Sequence, residues 1–167
     1  MKMLSSYKDI QIRTELVPGD LGFIIYMHGA LYKKEYNYGL HFESYVAAGI
    51  HEFYESIATS RSRGWVCERD GKIVGFLALM DRVDQAQVRY FILDPSVRGM
   101  GLGKKLMELF MDHLRSSGFK KAYLLTTKEL PTAAHLYTSN GFRLTEETPA
   151  HHPFDKDVIE QRYELTL

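Results

Sequence analysis

Apolar residues along the chain follow two rhythms, and the switches between them outline the elements. The alternation Ile10-Gln-Ile-Arg-Thr14 reads as a strand. Pro18-Gly-Asp20 reads as a turn, with Asp20 placed to cap a helix over 21–32. Phe42, Tyr45, Val46, Ile50, Phe53, Tyr54 and Ile57 recur at helical spacing and mark a second helix. An aromatic connection, Tyr32 to Tyr38, is expected between the two. Three strands follow, at 65–68, 73–80 and 85–93, the first pair joined by an Asp70-Gly71 hairpin that tolerates positive φ. Asp94-Pro95 ends the third.

Helical spacing then returns. Leu102, Leu106, Leu109, Phe110, His113 and Leu114 share one face of a helix that Gly118 is placed to stop. A strand at 121–127 comes next, then a helix from Pro131 to Asn140, closed by Gly141. A strand starts at Phe142 and runs to Thr145, a polar, His-rich loop covers 147–157, and an alternating strand at 158–166 ends the chain. This order predicts an α+β (mixed α/β) fold. The sheet is mostly antiparallel, of about seven strands, with helices on both faces, in one domain over 1–167.

Composition narrows the function classes. The 167 residues are 45% hydrophobic and 25% charged, enough to bury a single core. A formal net charge of zero gives no basic surplus for nucleic acid or an anionic membrane surface. Cys67 is the single cysteine, so neither an intrachain disulfide nor a Cys-based zinc site can form. It sits beside Trp65 and reads as core. Met1 to Gln11 lacks a leader-type apolar run, and no segment reaches membrane-spanning length, so a cytoplasmic location is expected.

The candidate chemistry starts at Arg98-Gly-Met-Gly-Leu-Gly-Lys104, between a strand and an amphipathic helix. Amides of a helix's first turn lack intrahelical partners and, with the macrodipole, attract anions. Arg98 and Lys104 add cations for phosphate. A Walker loop fails, because Arg98 stands where its first Gly belongs and Lys105 replaces its hydroxyl residue. The dinucleotide pattern fails too, since its third Gly falls at Lys104 or Leu106. Arg-x-x-Gly-x-Gly at Arg98, Gly101 and Gly103 does match.

The segment Ile92 to Lys104 resembles the acetyl-CoA motif of the GCN5-related N-acetyltransferases (GNAT). A second segment, Ala134-His-Leu-Tyr-Thr-Ser-Asn-Gly-Phe142, resembles the same family's helix ending in Leu-Tyr-x-x-x-Gly-Phe. The resemblance implies a splayed sheet in which backbone near Phe91, Ile92 and Leu93 meets pantetheine. It implies acetyl-CoA as co-substrate, cradled by Arg98, Gly99, Met100, Gly101, Leu102, Gly103 and Lys104. It assigns Tyr137 both to the cofactor site and to catalysis, as the general acid that protonates the leaving thiolate. The implied function is transfer of an acetyl group to a primary amine of a small molecule or peptide, in a ternary complex. The alternative is a non-catalytic acetyl-CoA-binding module of the same fold.

The general base is less marked. Glu35 and Glu68 are the candidates, with Asp81 and the histidine pair behind them. Strand 85–93 offers no carboxylate, although many GNAT members carry one there. Acceptor contacts are expected at Tyr32, Tyr36, His151 and His152, where aromatic rings suit a compact amine or a cation. No metal is expected, because adjacent histidines rarely serve one ion. A homodimer is compatible with such a domain. The segments Pro18-Gly-Asp-Leu-Gly22, His28-Gly29, Leu31-Tyr32 and 151–167 also resemble a subgroup often fused to MarR-type regulators.

Overall fold

A computed structural model describes residues 6–167; the reading of Met1–Gln11 as free of a leader-type run falls partly outside them. The strands are β1 (Gln11–Arg13), β2 (Arg63–Arg69), β3 (Lys72–Asp81), β4 (Ala86–Leu93), β5 (Lys121–Thr127), β6 (Arg143–Ala150) and β7 (Val158–Thr166). The helices are α1 (Asp20–Tyr36), α2 (Leu40–Ile57), α3 (Leu102–Ser116) and α4 (Pro131–Ser139). All seven strands form one sheet in the order β1-β2-β3-β4-β5-β7-β6, antiparallel except at β4–β5. No described helix is long and apolar enough to cross a membrane.

Strand alternation divides the core in two. One layer packs α3 and α4 on the sheet through Leu102, Leu106, Phe110, Leu114 and Tyr137, with Trp65, Leu77, Leu79 and Val88 beneath. The other packs α1 and α2 through Ile24, Phe42, Val46, Ile50 and Phe53, with Phe76, Ala78, Met80 and Tyr90 beneath. Cys67 is fully buried in the first layer, and burial pushes its thiol up to about 12, so it is inert core as expected.

Three boundaries differ from the sequence expectation. α1 runs on to Tyr36, because Tyr32 and Tyr36 stack at i, i+4 (5.3 Å) and the helix stops only where Asn37 takes a left-handed φ of 59°. Asp20 does not cap α1 with its side chain; it accepts from Arg13 (2.7 and 2.8 Å) and from the Val17 amide (2.8 Å), tying β1 to the helix. β6 extends to Ala150 and leaves a shorter loop, 151–157. It is an edge strand, exposed along nearly its whole length, so no apolar alternation betrays it, and Pro149 is tolerated there.

Two irregularities in β4 shape the middle of the sheet. Ala78 pairs with Arg89 and Phe76 with Ile92, so Leu77 of β3 faces both Tyr90 and Phe91. Tyr90 absorbs this bulge at φ 56°. The extra residue lets Arg89 and Tyr90, consecutive in sequence, both face α2. β4 then meets β5 only at Ala86–Ala122 and Gln87–Tyr123, and beyond these pairs the strands diverge.

Gly49 of α2 makes room for the bulge: a methyl group there would overlap the Tyr90 hydroxyl and press on an Arg89 Nη. Gly49→Ala is therefore expected to lower stability by about 1–3 kcal/mol in urea unfolding. The Tyr90 hydroxyl is buried without a partner, so Tyr90→Phe should be near neutral. The double variant should then cost less than Gly49→Ala alone; simple additivity would show that the overlap is not the cause.

Candidate active site

The glycine turn leads into α3 with open backbone. Gly99 and Gly101 sit at φ 77° and 87°, where side chains are strained, and Gly101 is the N-cap of α3. The helix's first bond runs from the Lys105 amide to the Gly101 carbonyl (3.1 Å), so the amides of 102–104 precede any intrahelical acceptor. A Cβ on Gly103 would lie 3.4 Å from both Leu136 and Phe91, so the turn backs directly onto α4 and β4. Leu102 is buried in the core and Met100 packs against it, so these two contribute backbone.

Where β4 and β5 part, a cavity of about 570 Å³ opens, with the glycine turn at one end. Phe91, Ile92 and Leu93 form one wall, and Leu124 to Thr127 the facing one. Arg98, Lys104 and the glycines Gly99, Gly101 and Gly103 line the turn end. Tyr137 reaches in from α4, its ring 6.2 Å from Phe91 and Phe142. Burial raises its phenol above the ordinary range, so it keeps its proton at neutral pH. α1 closes the other side with Tyr32, Glu35 and Tyr36.

Not every expected residue arrives. Glu68 sits on the β1 side of the sheet, bonded to Arg13 at 2.8 Å, and Asp81 is held by Arg61 at 3.0 Å; neither lines the cavity. Glu35 does line it, but both its oxygens are taken by Arg98 (2.7 and 3.2 Å). His151 and His152 are also outside. They lie exposed at the tip of the β6–β7 loop, each 2.8 Å from Asp157. These three offer ligand atoms within 4.8 Å of one another, all exposed, a grouping the sequence reading set aside. The loop reaches the cavity instead through Phe154, stacked on Tyr38 at 5.3 Å. Lys156 pins it by bonding the Tyr36 carbonyl (2.7 Å) and Glu129 (2.5 Å).

The sequence profile of the acetyltransferase (GNAT) family matches residues 30–142. The chain belongs to this family. An uncharacterized N-acetyltransferase of Escherichia coli K12, YjgM, is 34% identical over 99 residues, which are 56% of this chain and 58% of that protein. The chain thus spans less than two thirds of the curated relatives it first matches. Among solved structures, an acetyltransferase from Streptococcus agalactiae aligns with a TM-score of 0.78 at 24% identity, covering 96% of this chain and 99% of that one. A spermidine N-acetyltransferase from Vibrio cholerae, in complex with CoA and spermine, aligns with a TM-score of 0.70 at 21% identity over 95% of each chain. These likenesses establish the GNAT fold.

In this GNAT domain a titratable group to which the sequence assigned no role is His28, on the cavity-facing side of α1. Helical spacing from Ile24 and Tyr32 was the signal available. Its Nδ1 lies 2.8 Å from the Ile24 carbonyl, so that nitrogen carries the proton and donates, leaving Nε2 as an acceptor. Burial lowers its pKa from 6.5 to about 4, the Ile24 bond opposes that, and the Arg89 charge adds to it. The folded chain therefore resists protonation that the unfolded chain accepts. Stability is unaffected above pH 6.5 and falls as pH drops from 6.5 to 4, by roughly 3 kcal/mol from this group. Urea unfolding at pH 7 and pH 4 is expected to show that His28→Phe loses less stability than the parent by about this amount. Equal losses in the two chains would count against a buried neutral imidazole.

Proposed function

We propose that this GNAT domain is an acetyl-CoA-dependent N-acetyltransferase acting on a primary amine of a small molecule or peptide. The observation that carries the reading is the buried, protonated Tyr137 inside the cleft between the parted strands, with the Gly99–Gly103 turn at its end. The residues fit the co-substrate: left-handed glycines and free first-turn amides suit a pyrophosphate, and an apolar split between β4 and β5 suits a pantetheine arm. The CoA in the Vibrio cholerae relative is consistent with this. So is the amine that relative holds, spermine.

Acetyl-CoA supplies the acetyl group as an activated thioester. Arg98 and Lys104, with the amides of 102–104, hold the phosphates. Backbone along 91–93 lines the cleft beside the bulge, and an N–H group there that β3 does not take would meet charge developing on a carbonyl oxygen. Tyr137 donates its phenolic proton to the departing sulfur. The acceptor must be neutral to attack, and an alkyl ammonium holds its proton up to a pH of about 10. With Glu35 occupied by Arg98, the proton goes to solvent, while the neutral His28 accepts a hydrogen bond from the amine. The segments resembling the MarR-fused subgroup place no further constraint on the acceptor.

A thiol-release screen across amines, amino acids, aminoglycosides and lysine peptides tests the reading. Turnover with at least one class is expected, and Tyr137→Phe should lower kcat by about 10²-fold with the acetyl-CoA KM little changed. Acetyl-CoA binding without thiol release from any acceptor would favour the non-catalytic module instead.

A further inference from the structure

Arg89 is the feature that the acetyl-transfer chemistry leaves unused. It lines the cavity on the α2 side, and its side chain is 10% exposed. A buried guanidinium ordinarily satisfies its five N–H donors with carboxylates or carbonyls. Here, among the described residues, no protein group accepts a hydrogen bond from it. The nearest carboxylate oxygen, on Glu52, is 3.9 Å away, and Glu52 is half-exposed and already bonded to Arg82. Two rings hold the guanidinium in place: Tyr90 at 4.6 Å and Tyr45 at 5.4 Å from its carbon. The bulge at Tyr90 aims the group, and Gly49 leaves the space for it.

The other charges around the cavity are accounted for. Arg98 is paired with Glu35, Arg98 and Lys104 belong to the phosphate turn, and Glu160 stands exposed on the far wall opposite Thr127. The acceptor half, between α1, α2 and β4, thus presents aromatic rings, a neutral imidazole and one cation with open donors. A purely cationic amine would be repelled there. An amine that also carries a carboxylate would give Arg89 the bidentate partner its planar fork matches.

Resting on the acetyltransferase reading, we infer that the acceptor is an amino carboxylate of the amino-acid class, whose carboxylate is held by Arg89 while its amine faces the thioester. The flanking rings of Tyr32, Phe42, Tyr45 and Phe154 favour apolar or aromatic side chains on that acceptor. Arg89 is a specificity residue, separate from the groups that hold the phosphates or move protons.

Binding tests this without requiring turnover. The full chain, saturated with CoA, is titrated calorimetrically with the common amino acids, their carboxamides, and spermidine. At least one amino acid should bind, its carboxamide roughly tenfold to a hundredfold more weakly, and spermidine not detectably. Arg89→Gln should erase the preference for carboxylate over carboxamide while leaving CoA affinity unchanged, and Arg89→Lys should recover part of it. Failure of every amino acid to bind, equal binding of acid and amide, or a preference that survives Arg89→Gln would overturn the proposal. Thiol release separates the two levels. Turnover of amines regardless of a carboxylate keeps the acetyltransferase and sinks the Arg89 assignment; carboxylate binding with no thiol release does the reverse.

Discussion

The parting of β4 and β5 after two residue pairs is the constraint on which the rest of the molecule depends. A parallel pair that stops early leaves a row of backbone donors and acceptors inside the protein, and buried amides and carbonyls must find partners. Elsewhere the sheet is closed: β5 is paired with β7 along its other edge over seven residues, and β3 is paired on both sides. Among the described residues, the edges of β4 and β5 left unpaired in the middle of the sheet are those facing the cleft. The extended, amide-bearing co-substrate proposed above would fill such a gap, with the glycine turn at its end and the Tyr137 phenol at its side.

The gap is held open from both faces. On one, α3 and α4 press Gly103, Leu136 and Tyr137 against the end of β4. On the other, α1 and α2 meet the bulge at Tyr90, and the β6–β7 loop straps their junction. Phe154 enters the aromatic cluster and Lys156 spans the Tyr36 carbonyl and Glu129. The Gly39 amide donates to the Phe154 carbonyl at 2.9 Å, so the strap is fixed through backbone as well. These contacts give the acceptor side a firm wall built from three segments distant in sequence.

Periodicity and turn chemistry made most of the fold legible. The helical faces of α2 and α3, the Asp70-Gly71 hairpin and the Pro131 start of α4 follow from local rules, and each is where those rules put it. The place of the glycine turn was legible because glycines between a strand and an amphipathic helix mark a helix start, and Gly101 is the N-cap of α3. What escaped was set by tertiary geometry. β6 hides because both its faces are wet. Whether His151 or Phe154 of one loop points inward depends on a strap held by Lys156, and spacing is blind to that. The bulge that turns Arg89 and Tyr90 to the same side breaks the period-2 alternation of a regular strand, and nothing local in the sequence announces it.

The same break explains how a chain of zero net charge focuses charge in its cleft. Three carboxylates near the cavity are answered by cations, Glu35 by Arg98, Glu129 by Lys156 and Glu52 by Arg82, while Glu160 on the far wall stands exposed. Regular alternation through residue 90 would have turned Tyr90 to the α3 face, away from Arg89. The extra residue instead stacks the Tyr90 ring beneath the guanidinium, so an aromatic face supports the cation without consuming its donors. A guanidinium that a bulge aims, a glycine accommodates and two rings steady is best understood as the proposed binding site of an anion. In the amine acetylation proposed for this cleft, that anion belongs on the same molecule as the amine.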